Sequence, residues 1–241
     1  MQRHFDRDID ELKHLLLRMG AMVEDAMARS IRALLERDTA LANEVIARDD
    51  EIDRMEIIID QKTIELIAIM QPTASDLRFV ATIMKITPEL ERIADLAQDV
   101  CERAIELNRE PMLKPVSDLP RLALDAQAMV RDALDAFVRG DAAMARRVIA
   151  QDDNVDALTE SSFRNLLTYM LEDARNISSA IRLTFIGKYF ERMADGATNI
   201  CEMVVYLVEG KLIKHTALAA TKDCRTPPVS TTTQPPPPPP A

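Results

Sequence analysis

Apolar residues recur every three or four positions along most of this chain, which is the spacing that places side chains on one face of an α-helix. The chain has no tryptophan and only five glycines, and its commonest residues are compatible with helix. Turn-forming or helix-breaking residues interrupt the pattern five times, which predicts six helices. The interruptions lie near Arg37-Asp38, at Gln71-Pro72-Thr73, from Asn108 to Ser117, at Arg139-Gly140-Asp141, and from Glu172 to Asn176.

The chain also contains an internal duplication. Residues 90–95 (Leu-Glu-Arg-Ile-Ala-Asp) return as residues 190–195 (Phe-Glu-Arg-Met-Ala-Asp), and Cys-Glu follows both copies at the same distance. Residues 45–50 return, with one difference, as residues 148–153. Each half therefore reads as helix, helix and longer helix, and the sequence predicts an all-α fold of two tandem, pseudo-symmetric three-helix bundles. We assign residues 5–109 to the first bundle and residues 118–215 to the second.

The composition changes after His215. Residues 216–241 contain few apolar residues that could be buried and end in a run of six prolines followed by alanine. We expect this tail to be disordered, with the proline run in polyproline II. A ligand for a proline-binding domain and a passive extension are both compatible with such a tail, and the sequence favours the second.

Charge and cysteine content narrow the class of protein. The formal net charge is −10 and the isoelectric point is near 4.9, which is the wrong sign for binding a nucleic-acid backbone. The three cysteines, Cys101, Cys201 and Cys224, are too few for a disulfide framework. The first two have apolar neighbours in the sequence, which is typical of small buried core residues in a protein of a reducing compartment. No apolar run approaches the length of a membrane span. We therefore expect a soluble cytosolic protein.

The duplicated helix carries carboxylates spaced so that they share one helical face. Such a pair is most often a solvated surface, but like charges four residues apart destabilise a helix by about 0.2–0.5 kcal/mol per pair, so a cation or a flanking arginine is expected to compensate them. The face in the first half consists of Glu91, Asp95, Asp99 and Glu102, and in the second half of Glu191, Asp195, Asn199 and Glu202.

Hairpin geometry brings further carboxylates to this face. If the second and third helices of the first half are antiparallel about Pro72, residues equidistant from that turn lie side by side. This register places Asp53 opposite Glu91 and Asp49 opposite Asp95. The same argument in the second half places Asp156 opposite Glu191 and Asp152 opposite Asp195.

Four facing carboxylates repel one another unless they are protonated or bridged by a cation. Because neither motif contains a lysine, we predict one metal site in each half, holding either one ion or several. Oxygen-only ligands suit Mg, Mn, Ca or Fe, that is, divalent or trivalent ions, better than a thiolate zinc site. The predicted ligands are Asp49, Asp53, Glu91, Asp95, Asp99, Asp152, Asp156, Glu191, Asp195 and Asn199.

Carboxylates inside helical bundles also occur in ferritin-type oxidases, so a carboxylate-bridged metalloprotein with a redox or metal-storage role is the alternative. Such a site needs Glu-x-x-His on two helices, and only Glu11 and His14 have that spacing here. No catalytic triad and no glycine-rich phosphate loop is present either. The sequence therefore predicts a protein without enzymatic activity.

These residues closely resemble the PhoU family of phosphate-uptake regulators, whose signature is a duplicated Glu-Arg-x-x-Asp helix. The resemblance extends from Phe5 to His215 and includes residues 71–78, 189–200 and 208–211. It implies family metal ligands at Glu91, Asp95, Glu191 and Asp195; the facing aspartates are our extension from geometry. Asp99 stands where the other half has Asn199, the commoner family choice, so the two sites are expected to differ in charge and metal preference.

The resemblance also implies a function. It indicates a cytoplasmic, metal-binding adaptor, often a homodimer, that negatively regulates phosphate uptake and phosphate-responsive signalling. The implied partners are the ATPase subunit of the phosphate transporter and the sensor histidine kinase of the phosphate two-component system. Contact with the membrane would then occur only through these partners.

Overall fold

The computed structural model describes residues 2–113 and 118–213, with side chains from Arg7 onward. The predicted all-α fold is confirmed. The predicted disordered tail, residues 216–241, lies outside the described residues. The helices are α1 (Gln2–Glu36), α2 (Thr39–Met70), α3 (Ala74–Asn108), α4 (Asp118–Arg139), α5 (Ala142–Ile149), α6 (Asp152–Glu172) and α7 (Ile177–Glu209), with a short 3-10 helix (Ala174–Asn176) before α7.

The helix ends coincide with the predicted interruptions, and local chemistry explains them. Arg37 and Gln71 adopt left-handed backbone conformations, with φ of 57° and 46°, that end α1 and α2. The carboxylate of Asp38 accepts a hydrogen bond from the backbone N–H of Leu41 at 3.0 Å and so caps the start of α2. Asp141 caps the start of α5 in the same way. These turns return each helix antiparallel to the one before it.

The described residues form seven α-helices, so the prediction of six was wrong at one point. The middle helix of the second half is divided at Ala150 and Gln151, where α2 of the first half is continuous. Both residues keep helical dihedral angles, and the N–H of Gln151 bonds to the carbonyl of Val148 at 2.9 Å, so the chain tightens by one turn without reversing. Gln151 replaces Arg48, whose guanidinium pairs with Asp25 on α1 at 3.6 Å.

The two halves meet where α3 packs antiparallel to α7. Arg78 near the start of α3 reaches the carbonyl of Leu207 near the end of α7, and Arg182 near the start of α7 pairs with Glu106 near the end of α3 at 2.8 Å. This register, combined with the one-hundred-residue repeat, puts Ala94 opposite Ala194 at the midpoint. One hydrophobic core runs through both halves, so the tandem bundles are packed into a single body.

Close packing at the α3–α7 contact generates a prediction for Gly196. A Cβ atom at this position would lie 3.1 Å from the Ile93 side chain, so a larger side chain must displace it. We expect Gly196→Leu to destabilise the fold by about 1–3 kcal/mol, which lowers the melting temperature by roughly 3–10 °C. Thermal unfolding followed by circular dichroism measures this.

The matched test is the double variant Gly196→Leu with Ile93→Ala, in which the removed volume makes room for the added one. Its loss of stability should be smaller than the sum of the two single losses. Additive losses would show that the two side chains do not share this contact.

Candidate metal centre

Three carboxylates from α2 and α3 converge in the first half. Oxygen atoms of Asp49, Asp53 and Asp95 lie within 4.8 Å of one another. Asp49 and Asp53 are one turn apart on α2, and Asp95 approaches both from α3, whereas the predicted hairpin register placed Asp49 opposite Asp95 and Asp53 opposite Glu91. Ligand oxygens at this separation can contact one cation together, and carboxylates are the oxygen ligands that Mg²⁺, Mn²⁺, Ca²⁺ and iron accept.

Glu91 and Glu56 extend this cluster by one turn. Glu91 lies outside the group of three oxygens, but Asp95, Glu56, Asp53 and Asp49 all contribute to its electrostatic environment. Glu56 was not predicted. It lies three residues after Asp53 on α2, a spacing that the sequence shows, but its counterpart in the second half is Thr159, so the repeat gave no indication of it.

Burial and mutual repulsion raise the pKa values of Asp49, Glu56, Glu91 and Asp95. Burial, followed by repulsion from Asp95 and Asp53, raises the pKa of Asp49 to about 6. Burial, followed by repulsion from Asp95, raises the pKa of Glu91 to about 7. None of the ion pairs among the described residues neutralises Asp49, Asp53, Glu91 or Asp95.

The second half holds the equivalent carboxylates but compensates one of them. Burial, followed by repulsion from Asp195 and Asp156, raises the pKa of Asp152 to about 6, but among the described residues these carboxylates do not form a group of three oxygens within 4.8 Å of one another, as Asp49, Asp53 and Asp95 do. Glu191, however, pairs with the ammonium group of Lys188 at 2.5 Å. Neither acidic motif contains a lysine, but Lys188, three positions before Glu191, reaches it across one helical turn.

Asp99 and Asn199 lie toward the contact between α3 and α7. The Asn199 amide donates a hydrogen bond to Glu89 on α3 at 3.2 Å. Burial, then repulsion from Glu102, raises the pKa of Asp99, and the nearby Arg192 on α7 opposes the increase. Neither residue belongs to the group of three close oxygens in the first half. The difference in charge between Asp99 and Asn199 therefore affects the α3–α7 contact as well as the two carboxylate clusters.

The donor set of the first half fits a hard metal ion. Burial raises the pKa of Cys101 and of Cys201 to about 12, so both thiols stay protonated at neutral pH and are poor ligands. His14 is exposed on α1. Carboxylate oxygens are thus the groups available to a cation at this seam.

Sequence comparisons identify relatives along nearly the whole folded chain. The sequence model of the PhoU domain matches residues 16–104 and 119–204, one match in each half. The "Phosphate-specific transport system accessory protein PhoU homolog" of Aquifex aeolicus (strain VF5) is 40% identical over 209 residues, covering 87% of this chain and 95% of the relative. The "Phosphate-specific transport system accessory protein PhoU" of Escherichia coli (strain K12) is 38% identical over 214 residues, covering 88% of each chain.

Solved structures agree with the sequence relatives. The crystal structure of PhoU from Pseudomonas aeruginosa superimposes with a TM-score of 0.83 at 39% identity and covers 86% of this chain and 100% of that one. The phosphate transport system regulatory protein PhoU from Streptococcus pneumoniae gives a TM-score of 0.81 at 27% identity and covers 87% of this chain and 99% of that one. None of the helices described here has the length and apolar character of a membrane span.

Removing Lys188 tests the difference between the two halves. Lys188→Ala should leave Glu191 free for a cation and strengthen Mn²⁺ binding in the second half about fivefold, the equivalent of about 1 kcal/mol for a partly exposed ion pair. Isothermal titration of the metal-depleted chain with Mn²⁺ measures it. Lys85, a nearby exposed lysine of the first half, provides the control variant Lys85→Ala. Equal Mn²⁺ binding by wild type and Lys188→Ala would contradict the prediction.

The raised pKa values predict how stability depends on pH in the metal-free protein. The folded state keeps protons on Asp49 and Glu91 up to pH about 6 and about 7, whereas the unfolded chain releases them near its ordinary values of 3.8 and 4.5. The folded state therefore binds more protons between these values, and its stability falls as pH rises through this range. Chelator-treated protein should melt at least ~2 °C higher at pH about 5.5 than at pH about 7.5.

The double variant Asp49→Asn, Glu91→Gln is the control, because it removes the two titrating groups with the largest effect in the first half. Its melting temperature should change less between the two pH values than that of the wild type. Carboxylates held in ion pairs, such as Glu110 and Glu209, have lowered pKa values and titrate below this range in both proteins. Identical pH profiles for the two proteins would refute the assignment.

Proposed function

Because this chain belongs to the PhoU family, we propose that it is a negative regulator of phosphate uptake and phosphate-responsive signalling. The observation that supports this most is the match of both halves to the PhoU domain together with relatives named as accessory proteins of phosphate-specific transport. The folded part is a helical body with no assembled catalytic constellation among its described residues. An adaptor that acts by binding agrees with such a body better than an enzyme does.

The proposed partners are the ATPase subunit of the phosphate transporter and the sensor histidine kinase of the phosphate two-component system. Both would be met in the cytoplasm, and the regulator would reach the membrane only through them. We include a homodimer in this proposal. The names of the relatives support the transporter as a partner in general terms, and the kinase follows from the family resemblance alone.

We further propose that the regulator binds an oxygen-preferring divalent or trivalent cation, such as Mg, Mn, Fe or Ca. Asp49, Asp53 and Asp95 would hold it, with Glu91 beside them, and the second half would offer Asp152, Asp156, Asp195 and Glu191 less strongly because Lys188 already pairs with Glu191. When bound, the cation supplies positive charge across the α2–α3 seam. The role is then structural or regulatory, since a cation bound by these carboxylates would hold α2 against α3.

The alternative role in iron storage or redox chemistry lacks its usual ligands. The Glu11–His14 pair lies on α1, where His14 is exposed and Lys62 pairs with Glu11 at 2.9 Å. We therefore keep storage only as an outcome that the following experiment would detect.

Complementation of a deletion strain tests the proposed function. Deleting the gene in its host should make a phosphate-controlled phosphatase reporter constitutive at high phosphate, and the wild-type chain should restore repression. The triple variant Asp49→Asn, Asp53→Asn, Asp95→Asn should restore it poorly, because the cluster that would hold the cation is gone. The reporter output and the abundance of each variant are measured together.

The matched control is Asp50→Asn, which removes one exposed carboxylate next to the cluster and leaves the three converging oxygens in place. This variant should repress like the wild type. A reporter that stays repressed in the deletion strain, together with altered cellular iron, would refute the regulator and support the storage role. Full repression by the triple variant would refute only the part assigned to the cation.

A further inference from the structure

The exposed side of α2 carries four isoleucines. Ile57, Ile58, Ile64 and Ile69 are between 46% and 64% exposed. Ile57 and Ile64 are seven residues apart and Ile58 and Ile69 are eleven apart, so each pair returns to one side of the helix and the two pairs form neighbouring rows. From Ile57 to Ile69 the strip is about 18 Å long, which matches roughly three turns of a second helix.

Exposed acidic residues accompany these isoleucines. Glu51 and Glu65 lie seven residues before and seven residues after Ile58, in the same row. The strip is therefore apolar with acidic residues along its length. We call it the outer face of α2, and none of the predicted cation ligands belongs to it. It consists of Glu51, Ile57, Ile58, Ile64, Glu65 and Ile69.

The second half provides an internal comparison for this face. The duplication aligns α2 with α5 and α6 at an offset of 103 residues. Three of the four isoleucines then correspond to polar residues, and both glutamates correspond to uncharged ones. The common fold therefore requires neither the exposed isoleucines nor the exposed acids. The aligned pairs are Glu51 and Asn154, Ile57 and Glu160, Ile58 and Ser161, Ile64 and Leu167, Glu65 and Thr168, and Ile69 and Glu172.

The charge of this part of α2 is strongly negative. Residues 50–65 contain six acidic and two basic residues. The two basic residues are already paired, because Arg54 lies 3.6 Å from Asp50 and Lys62 lies 2.9 Å from Glu11 on α1. The positive charge of this segment is thus directed to those partners, and the acids in excess give the outer face its negative potential.

This combination of charge and apolar surface selects among possible occupants. A second copy that presented the same face would bring like charges together. An anionic membrane surface and a nucleic acid would be repelled for the same reason. A helix with one apolar row flanked by lysines or arginines would instead cover the isoleucines and place its cations beside Glu51 and Glu65.

We propose that the outer face of α2 docks a basic amphipathic helix of a partner protein. This docking role rests on the proposed adaptor function and adds the chemistry of the partner segment. Binding is measured with the purified chain, whereas the adaptor function is measured with the phosphate reporter. Docking without repression would refute only the adaptor function, and repression without docking would refute only the role of this face.

Fluorescence anisotropy with a labelled synthetic peptide tests the apolar part of the face. The probe is a peptide of roughly 18 residues of leucine and lysine, with its leucines on one helical face. The full chain should bind it, and the double variant Ile57→Ser, Ile64→Ser should bind it at least about tenfold more weakly. Both side chains are exposed, so the variant should fold normally. The control is Leu124→Ser, because Leu124 on α4 is 55% exposed and Ile57 is 54% exposed.

The control variant should bind the peptide like the wild type. A peptide that does not bind the wild type, or that binds Ile57→Ser, Ile64→Ser with unchanged affinity, would overturn the proposal. Vesicles of phosphatidylcholine and phosphatidylserine and further copies of the chain are the competing occupants. Vesicle binding or self-association that this double variant abolishes would also overturn it.

A second pair of variants tests the acidic part of the face. Glu51→Gln, Glu65→Gln should weaken peptide binding about threefold at low salt and reduce its dependence on salt concentration. The control variant Glu36→Gln, Asp153→Asn removes the same charge from two exposed positions outside the face, and it should bind nearly like the wild type. Equal weakening by both double variants would show that only the net charge of the chain matters and would contradict the assignment.

Disulfide cross-linking gives an independent readout of position. In a background with Cys224→Ser, Ile57→Cys should form a disulfide with a leucine–lysine peptide that carries a cysteine in place of its central leucine. Leu124→Cys, at a position of equal exposure, should not. Cys101 and Cys201 are buried and do not interfere. Preferential cross-linking of Leu124→Cys would place the peptide elsewhere and overturn the proposal.

Discussion

The antiparallel packing of α3 against α7 is the contact on which the rest of this structure depends. Its midpoint is made of small residues, Ala94 opposite Ala194, and Gly196 leaves room for Ile93. The apolar side chains of the repeated segment are buried in the core, so Glu91 and Asp95 must lie on the part of α3 that meets α2. A single helix thus builds the centre of the molecule and one wall of the acidic cluster.

Much of this arrangement could be predicted because residues are evenly spaced along long, continuous helices, so their positions can be counted from a turn. The turn at Gln71 is short, and both helices beside it keep their period, so counting residues from Pro72 was enough to bring Asp49 to Asp95; Asp53, which the count paired with Glu91, joins them. The division at Ala150 and Gln151 could not be predicted in this way, because the segment is almost identical to one that stays helical in the first half. The one residue that differs within this segment is Gln151, which cannot make the contact that Arg48 makes with Asp25.

Two site residues were missed for opposite reasons. Lys188 lies outside the repeated motif and its counterpart is Pro88, so a comparison of the motifs alone did not include it. Glu56 lies on the same face of α2 as Asp53, but it has no acidic counterpart in the second half. The comparison of the two repeats therefore predicted the site residues that the halves share but not those in which they differ.

The differences between the halves follow one physical logic. A charged group without a counterion is costly to desolvate, so the pairing of a carboxylate decides what can pack beside it. In the first half none of the ion pairs among the described residues involves Asp49, Asp53 or Asp95. In the second half Lys188 neutralises Glu191, and the face beside it is apolar. The close packing of Ile93 against Gly196 joins α3 to α7, so the helix that carries Glu91 and Asp95 packs directly against the helix that carries Glu191 and Asp195.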